Sequence, residues 1–184
     1  MLNDVRISRE AFQDLNVQLF PERIPTIRFD SKSEICCAVL MERYVSGWEC
    51  TTGRTFQVPL TQGCKADFLL NGEVVLEYHP ASLHRGLMSD EARRSFARHL
   101  PRLKGWLRDE LRDALLAELH EQYVVRRRTL LRATPGLEQA ELIVARDPRE
   151  FWKLVLMRFS ESPPSCKQVH KEWCDILKAV ERGR

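Results

Sequence analysis

The period of the apolar positions changes several times along this chain, and each change marks an element. Residues 35–41 are apolar without interruption and follow Ser31-Lys32-Ser33-Glu34, which has capping-box spacing. This predicts a helix over residues 31–46, buried on most of its circumference and ended by Gly47. After the Thr51-Thr52-Gly53 turn, Phe56, Val58 and Leu60 alternate inward, so residues 54–60 read as a strand. Residues 63–80 then hold two apolar-rich runs around Asn71-Gly72, the strongest short-range hairpin signal, and Pro80 closes the second arm. The expectation is a three-stranded antiparallel meander over residues 54–79, with the helix of residues 31–46 on one face.

The second half of the chain is mainly helical. Ser89 caps a pattern that runs to His99 before Pro101 interrupts it. Leu103, Leu107, Leu111, Leu115 and Leu119 then recur every four residues beside Trp106 and Ala114, while Arg108, Glu110, Arg112 and Asp113 lie off that stripe. The helix extends to about residue 129, taking in Tyr123 and the basic run Arg126-Arg127-Arg128. Thr134-Pro135-Gly136 breaks it, residues 141–145 read as a short buried strand that adds to the sheet, and Asp147-Pro148 caps a helix over residues 149–159. Ser162-Pro163-Pro164-Ser165 links to a last amphipathic helix. At the other end, an amphipathic stretch at residues 8–15 precedes a segment punctuated by Pro21 and Pro25, which reads as a docking arm. The division expected is an arm (1–30), an α/β core (31–160) and a C-terminal helical extension (161–184).

At 184 residues and 43% hydrophobic, the chain suits one well-filled core. Net charge is only +3, but residues 85–132 hold 12 Lys/Arg against 7 Asp/Glu, so the basic surplus sits in the middle helices. Cys36 and Cys37 are adjacent inside an apolar helix and the six cysteines form no dense scaffold, which favours free thiols in a reducing cytoplasm. No run reaches the roughly eighteen apolar residues that span a bilayer, and no basic-then-apolar leader opens the chain, so a cytoplasmic protein without a membrane partner is expected. Neither G-x-x-x-x-G-K-[ST] nor G-x-G-x-x-G occurs, which removes support for a nucleotide-dependent enzyme. Cys166, His170 and Cys174 share a helical face, but structural zinc takes four ligands and no paired short cysteine spacing supplies the rest.

The chemistry concentrates in the hairpin. Alternation along its second arm puts Val75, Glu77 and His79 on one face and Val74, Leu76 and Tyr78 on the other. Where Asp67 falls depends on the turn. A two-residue Asn71-Gly72 loop sets Asp67 opposite Leu76, on the wrong face, whereas a three-residue loop of residues 70–72 sets it opposite Val75, on the face of Glu77 and His79. Two carboxylates and an imidazole on one face make a candidate hard-cation site, since gathered like charges are costly unless an ion compensates them. The alternative is a solvated sheet face.

The order helix, three strands, long helices, strand, helix, with acids at Glu34, Asp67 and Glu77, resembles the PD-(D/E)XK nuclease superfamily over roughly residues 31–160. Lys65-Ala66-Asp67-Phe68 and Val75-Leu76-Glu77-Tyr78-His79 look like its two signature strands, with Ala66 in place of the motif Pro and His79 in place of its Lys. The resemblance implies a restriction-endonuclease-like mixed sheet of about four strands flanked by helices, with Mg²⁺ or Mn²⁺ as cofactor. It implies metal ligation by Asp67, Glu77 and the carbonyl of Tyr78, and catalytic roles for Asp67, Glu77, His79 and Glu34, the last of which also fits a plain helix cap. The expected partner is DNA, or RNA, held by Arg126, Arg127 and Arg128 with Arg93, Arg94 and Arg98 upstream; the same run also fits a solvated helix face. A homodimer or larger assembly stays open. Two functions follow: a metal-dependent DNA nuclease, or a catalytically degenerate domain that binds nucleic acid or serves as an assembly subunit.

Overall fold

The computed structural model describes residues 5–8, 26–29, 31–46, 48, 58–79 and 105–182. Over these the chain is a mixed α/β protein of small sheets and helices. Helix α1 (Lys32–Tyr44) starts where the capping box places it: Ser31 Oγ accepts the Glu34 N–H at 3.2 Å and donates to Glu34 Oε1 at 2.9 Å. Its residues from Ile35 to Met41 are all buried, as the unbroken apolar run requires.

Ahead of it, β1 (Val5–Ser8) pairs antiparallel with β2 (Thr26–Phe29), and Phe29 is buried in the central core. The segment expected as an arm thus carries a strand pair, while most of the amphipathic stretch at residues 8–15 lies outside the described residues.

The expected meander divides. β3 (Val58–Pro59) pairs antiparallel with β4 (Lys65–Ala66), the strand breaks at Asp67, and β5 (Phe68–Leu70) pairs antiparallel with β6 (Val74–Tyr78) in a separate sheet. Residues 54–57 lie outside the described residues. β7 (Glu141–Ala145) joins the second sheet beside β6 in parallel, giving the order β5-β6-β7. A parallel neighbour cannot be reached by a tight turn, and the crossover here includes α2 (Gly105–Arg132).

The sheet separates two apolar layers. Val74, Leu76 and Tyr78 face α1 and the C-terminal helix, whereas Val75 packs with Val58, Leu60, Ala66, Leu130, Leu131 and Leu137. Asp147 caps α3 (Pro148–Phe151) by accepting from the N–H groups of Arg149 and Glu150 at 2.8 and 2.9 Å. A π-helical turn (Trp152–Leu156) and α4 (Met157–Phe159) complete the predicted helix.

Helix α5 (Cys166–Arg182) lies antiparallel to α1, with Lys32 on Glu181 at 2.7 Å and Arg43 on Glu172 at 2.9 Å. Such exposed pairs are worth about 0–1 kcal/mol each, so the apolar stripe Val169, Trp173, Ile176 and Val180, buried in the central core, does most of the holding.

The leucine stripe of α2 packs only in part: Leu119 is buried, Leu115 half-buried, and Leu111 is 47% exposed. Nothing is described of residues 80–104, so the predicted helix of residues 89–99 lies outside the described structure, as do Arg93, Arg94 and Arg98. Among the described residues no helix is long and apolar enough to cross a membrane.

If α5 belongs to the core, Ile176→Ala should cost about 2–5 kcal/mol in urea unfolding, while Leu111→Ala should stay within about 0.5 kcal/mol. Equal small losses at both positions would mean that α5 is an appendage.

Candidate functional site

The hairpin turn sets the site. Asn71 and Gly72 both have positive φ, 52° and 73°, conformations that asparagine tolerates and glycine adopts freely, and the Glu73 N–H closes on the Leu70 carbonyl at 3.1 Å. Strand pairing nevertheless begins with Leu70 opposite Val74, leaving Glu73 as an extra residue on the second arm. This register is neither of the two weighed from sequence. Continued one step past Phe68–Leu76, it sets Asp67 opposite Glu77 and therefore on the same face.

At Asp67 the strand breaks, and the carboxylate takes over a main-chain role: Asp67 Oδ2 accepts the N–H of Tyr78 at 2.8 Å. Burial pushes the Asp67 carboxyl well above the usual carboxylate range, the charges of Glu34 and Glu77 push it further, and the Tyr78 N–H and Arg127 only partly oppose them. Glu34 reaches this cluster from the first turn of α1, a favourable place for an acid beside the positive end of the helix. The buried Cys37 thiol, one turn on, is pushed up by burial and by Cys36, Asp67 and Glu34, which keeps it an inert neutral thiol.

Glu77 is 2% exposed and is gripped from α2. Arg127 Nε donates to Glu77 Oε1 at 2.5 Å, another guanidinium nitrogen donates to the Lys65 carbonyl, and the Tyr123 hydroxyl donates to Glu77 Oε2. Burial raises the Glu77 carboxyl, and Arg127 and Tyr123 hold it back. Arginine stays charged at any accessible pH, so the balance acts on the carboxylate. His79 stacks on the Tyr123 ring, with centroids 3.9 Å apart and planes 11° apart, and its N–H continues the parallel ladder to the Ala145 carbonyl at 2.8 Å.

The structure thus gathers Glu34, Asp67, Glu77 and His79 around the carboxyl end of β6. Tyr78 contributes its N–H to Asp67 and its ring to Trp173, at a centroid distance of 5.1 Å. Of the basic run, Arg126 and Arg128 are exposed, but Arg127 is 9% exposed and turned inward, so it is corrected from a phosphate contact to a partner of Glu77. Cys166 is half-buried and His170 exposed on α5, and among the described residues no group of three His, Cys, Asp or Glu side chains is gathered closely enough to hold a metal as it stands.

Tyr123 is the site residue that sequence reasoning missed, and Arg127 is the one it placed in a different role. The signal was present: continuing the stripe from Leu119 in steps of four lands on Tyr123 and Arg127, two polar residues on the buried side of a helix that resumes its apolar face at Leu130 and Leu131.

In class, this is an α/β protein with a buried acid cluster at the carboxyl edge of a mixed sheet. No family model, curated protein or solved structure matches the chain.

Two expectations follow. Removing one partner of a buried ion pair costs about 3–5 kcal/mol, so Arg127→Ala should lower the unfolding free energy by that order, while Arg126→Ala and Arg128→Ala should stay within about 0.5 kcal/mol. A loss at Arg127 no larger than at its neighbours would place its side chain in solvent.

The second concerns pH. Because folded Asp67 releases its proton at higher pH than the unfolded chain does, the folded state binds more protons between the two values, and stability falls as pH rises through that interval. Asp67→Asn keeps the acceptor for Tyr78 and removes the charge. The variant should match wild type below the ordinary aspartate range and gain on it above, by about 1.4 kcal/mol for each tenfold weakening of the acid. A difference that stays constant across a urea-unfolding series in pH would contradict a raised Asp67.

Proposed function

We propose that this chain is a metal-dependent nuclease that hydrolyses DNA phosphodiester bonds, on a restriction-endonuclease-like core. The observation that carries the reading is the convergence of Glu34, Asp67 and Glu77 at the end of β6, with Arg127 bonded to Glu77. Its supports are the hairpin with its acids on one face, the parallel β7 reached through a helical crossover, and α1 packed on the sheet with Glu34 at its start.

The donor type fits a hard cation, because carboxylate oxygens suit Mg²⁺ or Mn²⁺ and Asp67 and Glu77 share one face of the hairpin. Asp67 and Glu77 would hold it, with the Tyr78 carbonyl as a further ligand and Glu34 beside them. Bound there, the ion supplies a lowered pKa for its water and polarisation of the phosphoryl oxygen. The chain's own groups do the rest. Arg127 orients the Glu77 carboxylate and Asp67 ties the strand ends through Tyr78, while His79, stacked on Tyr123, would hold or pass on a proton in the reaction. The exposed Arg126 and Arg128 extend a basic face towards DNA, or RNA, phosphates.

A second reading is favoured by a specific observation: both Glu77 oxygens already accept from Arg127 and Tyr123, and His79 stands in the motif Lys position. On that reading the domain binds nucleic acid, or another subunit, without cutting.

Titration with Mn²⁺ and Mg²⁺, followed by cleavage of single-stranded, duplex and branched DNA, separates the two. The nuclease reading expects ion binding and cleavage, both lost in Asp67→Ala, and cleavage reduced about 10²- to 10⁴-fold in His79→Ala with ion binding kept. Nucleic-acid binding without cleavage, unrestored by His79→Lys, would replace it with the second reading.

A further inference from the structure

Tyr123 is not part of the motif that suggested the site, yet it touches two of its members at once. Its hydroxyl donates to Glu77 Oε2 and its ring carries the imidazole of His79, at 3.9 Å and nearly parallel. The residue comes from α2, in the crossover between β6 and β7, so the contact is tertiary and not a by-product of strand geometry. We infer that Tyr123 is a positioning residue: it fixes the plane of the His79 ring and ties it to the state of the Glu77 carboxylate.

Three features carry this. A flat stack restrains both the height and the tilt of the imidazole. The Tyr123 hydroxyl is the donor in its bond to Glu77 Oε2, because an ionised carboxylate oxygen can only accept. Arg127, one turn further along α2, holds the other Glu77 oxygen and lies 5.8 Å from the Tyr123 ring, so the tyrosine is itself held between two fixed partners. A change at Glu77 that alters what the phenol donates to also alters, through the ring, the face presented to His79.

The inference rests on the proposed nuclease reading for what His79 does, but the contact has a test of its own. In proton NMR, with His79 assigned by loss of its signals in His79→Ala, the His79 ring protons should be displaced upfield by the tyrosine ring. The displacement should persist in Tyr123→Phe, which keeps the ring, and disappear in Tyr123→Leu. Glu77→Gln should move the His79 signals in the wild-type background and leave them nearly unmoved with Tyr123→Phe, because the hydroxyl is the link. This second comparison stands even if the leucine variant fails to fold.

In cleavage assays, Tyr123→Leu should lower kcat at least about tenfold with little change in KM, and it should have no further effect when His79 is already alanine, because residues acting as one unit are not additive. Unshifted His79 protons in wild type, an equal Glu77→Gln response with and without the hydroxyl, or additive losses in the double variant would each overturn the inference. Absence of cleavage with the NMR pattern intact would instead remove the nuclease reading and leave Tyr123 as the link between His79 and Glu77.

Discussion

Three carboxylates drawn into the interior beside one guanidinium are the constraint on which the rest of the structure turns. Removing an ion from water costs several kcal/mol even after relaxation, so each buried charge has to be met by an opposite charge, by donors or by a proton. Arg127 meets Glu77 and, with the rest of its fork, the Lys65 carbonyl. Asp67 meets the Tyr78 N–H. These two side chains therefore do more than balance charge. They supply partners to β4 and β6 where the strand breaks at Asp67 and ladder bonding stops, which is where buried backbone groups would otherwise go unsatisfied.

This arrangement also explains why α2 is anchored towards its C-terminal end. Leu119, Tyr123, Arg127, Leu130 and Leu131 form one inward stripe, with the polar pair in the middle held by directional bonds and the leucines by burial. Towards its start the helix loses that hold, and Leu111 stands largely in solvent despite belonging to the same four-residue repeat. Periodicity says which residues share a face; it does not say how much of the face finds a partner.

The sequence made α1, the hairpin, β7 and the Asp147 cap readable because each depends on local rules: a capping box, an Asn-Gly turn, a short apolar run, an acid before proline. What it did not settle was register. The pair Asn71-Gly72 forms the expected left-handed turn, but Glu73 is added to the second arm, and a single residue decides whether Asp67 meets Glu77 or the opposite face. The pairing of β1 with β2 was hidden for a different reason, since these four-residue strands lie far apart in sequence and are separated by two prolines. Arg127 was misread because a run of three arginines looks like one feature, while on a helix successive residues point about 100° apart and one of three can face the core.

The charge count bears on what the site can do. With Arg127 committed to Glu77, burial first and then the charges of Glu34 and Glu77 raise the Asp67 carboxyl, and a proton that makes Asp67 neutral relieves them. Among the described residues, Arg127 meets Glu77 on the face that also carries His79, while Glu34 reaches Asp67 from α1, so the charge of the cluster is met by different means on its two sides.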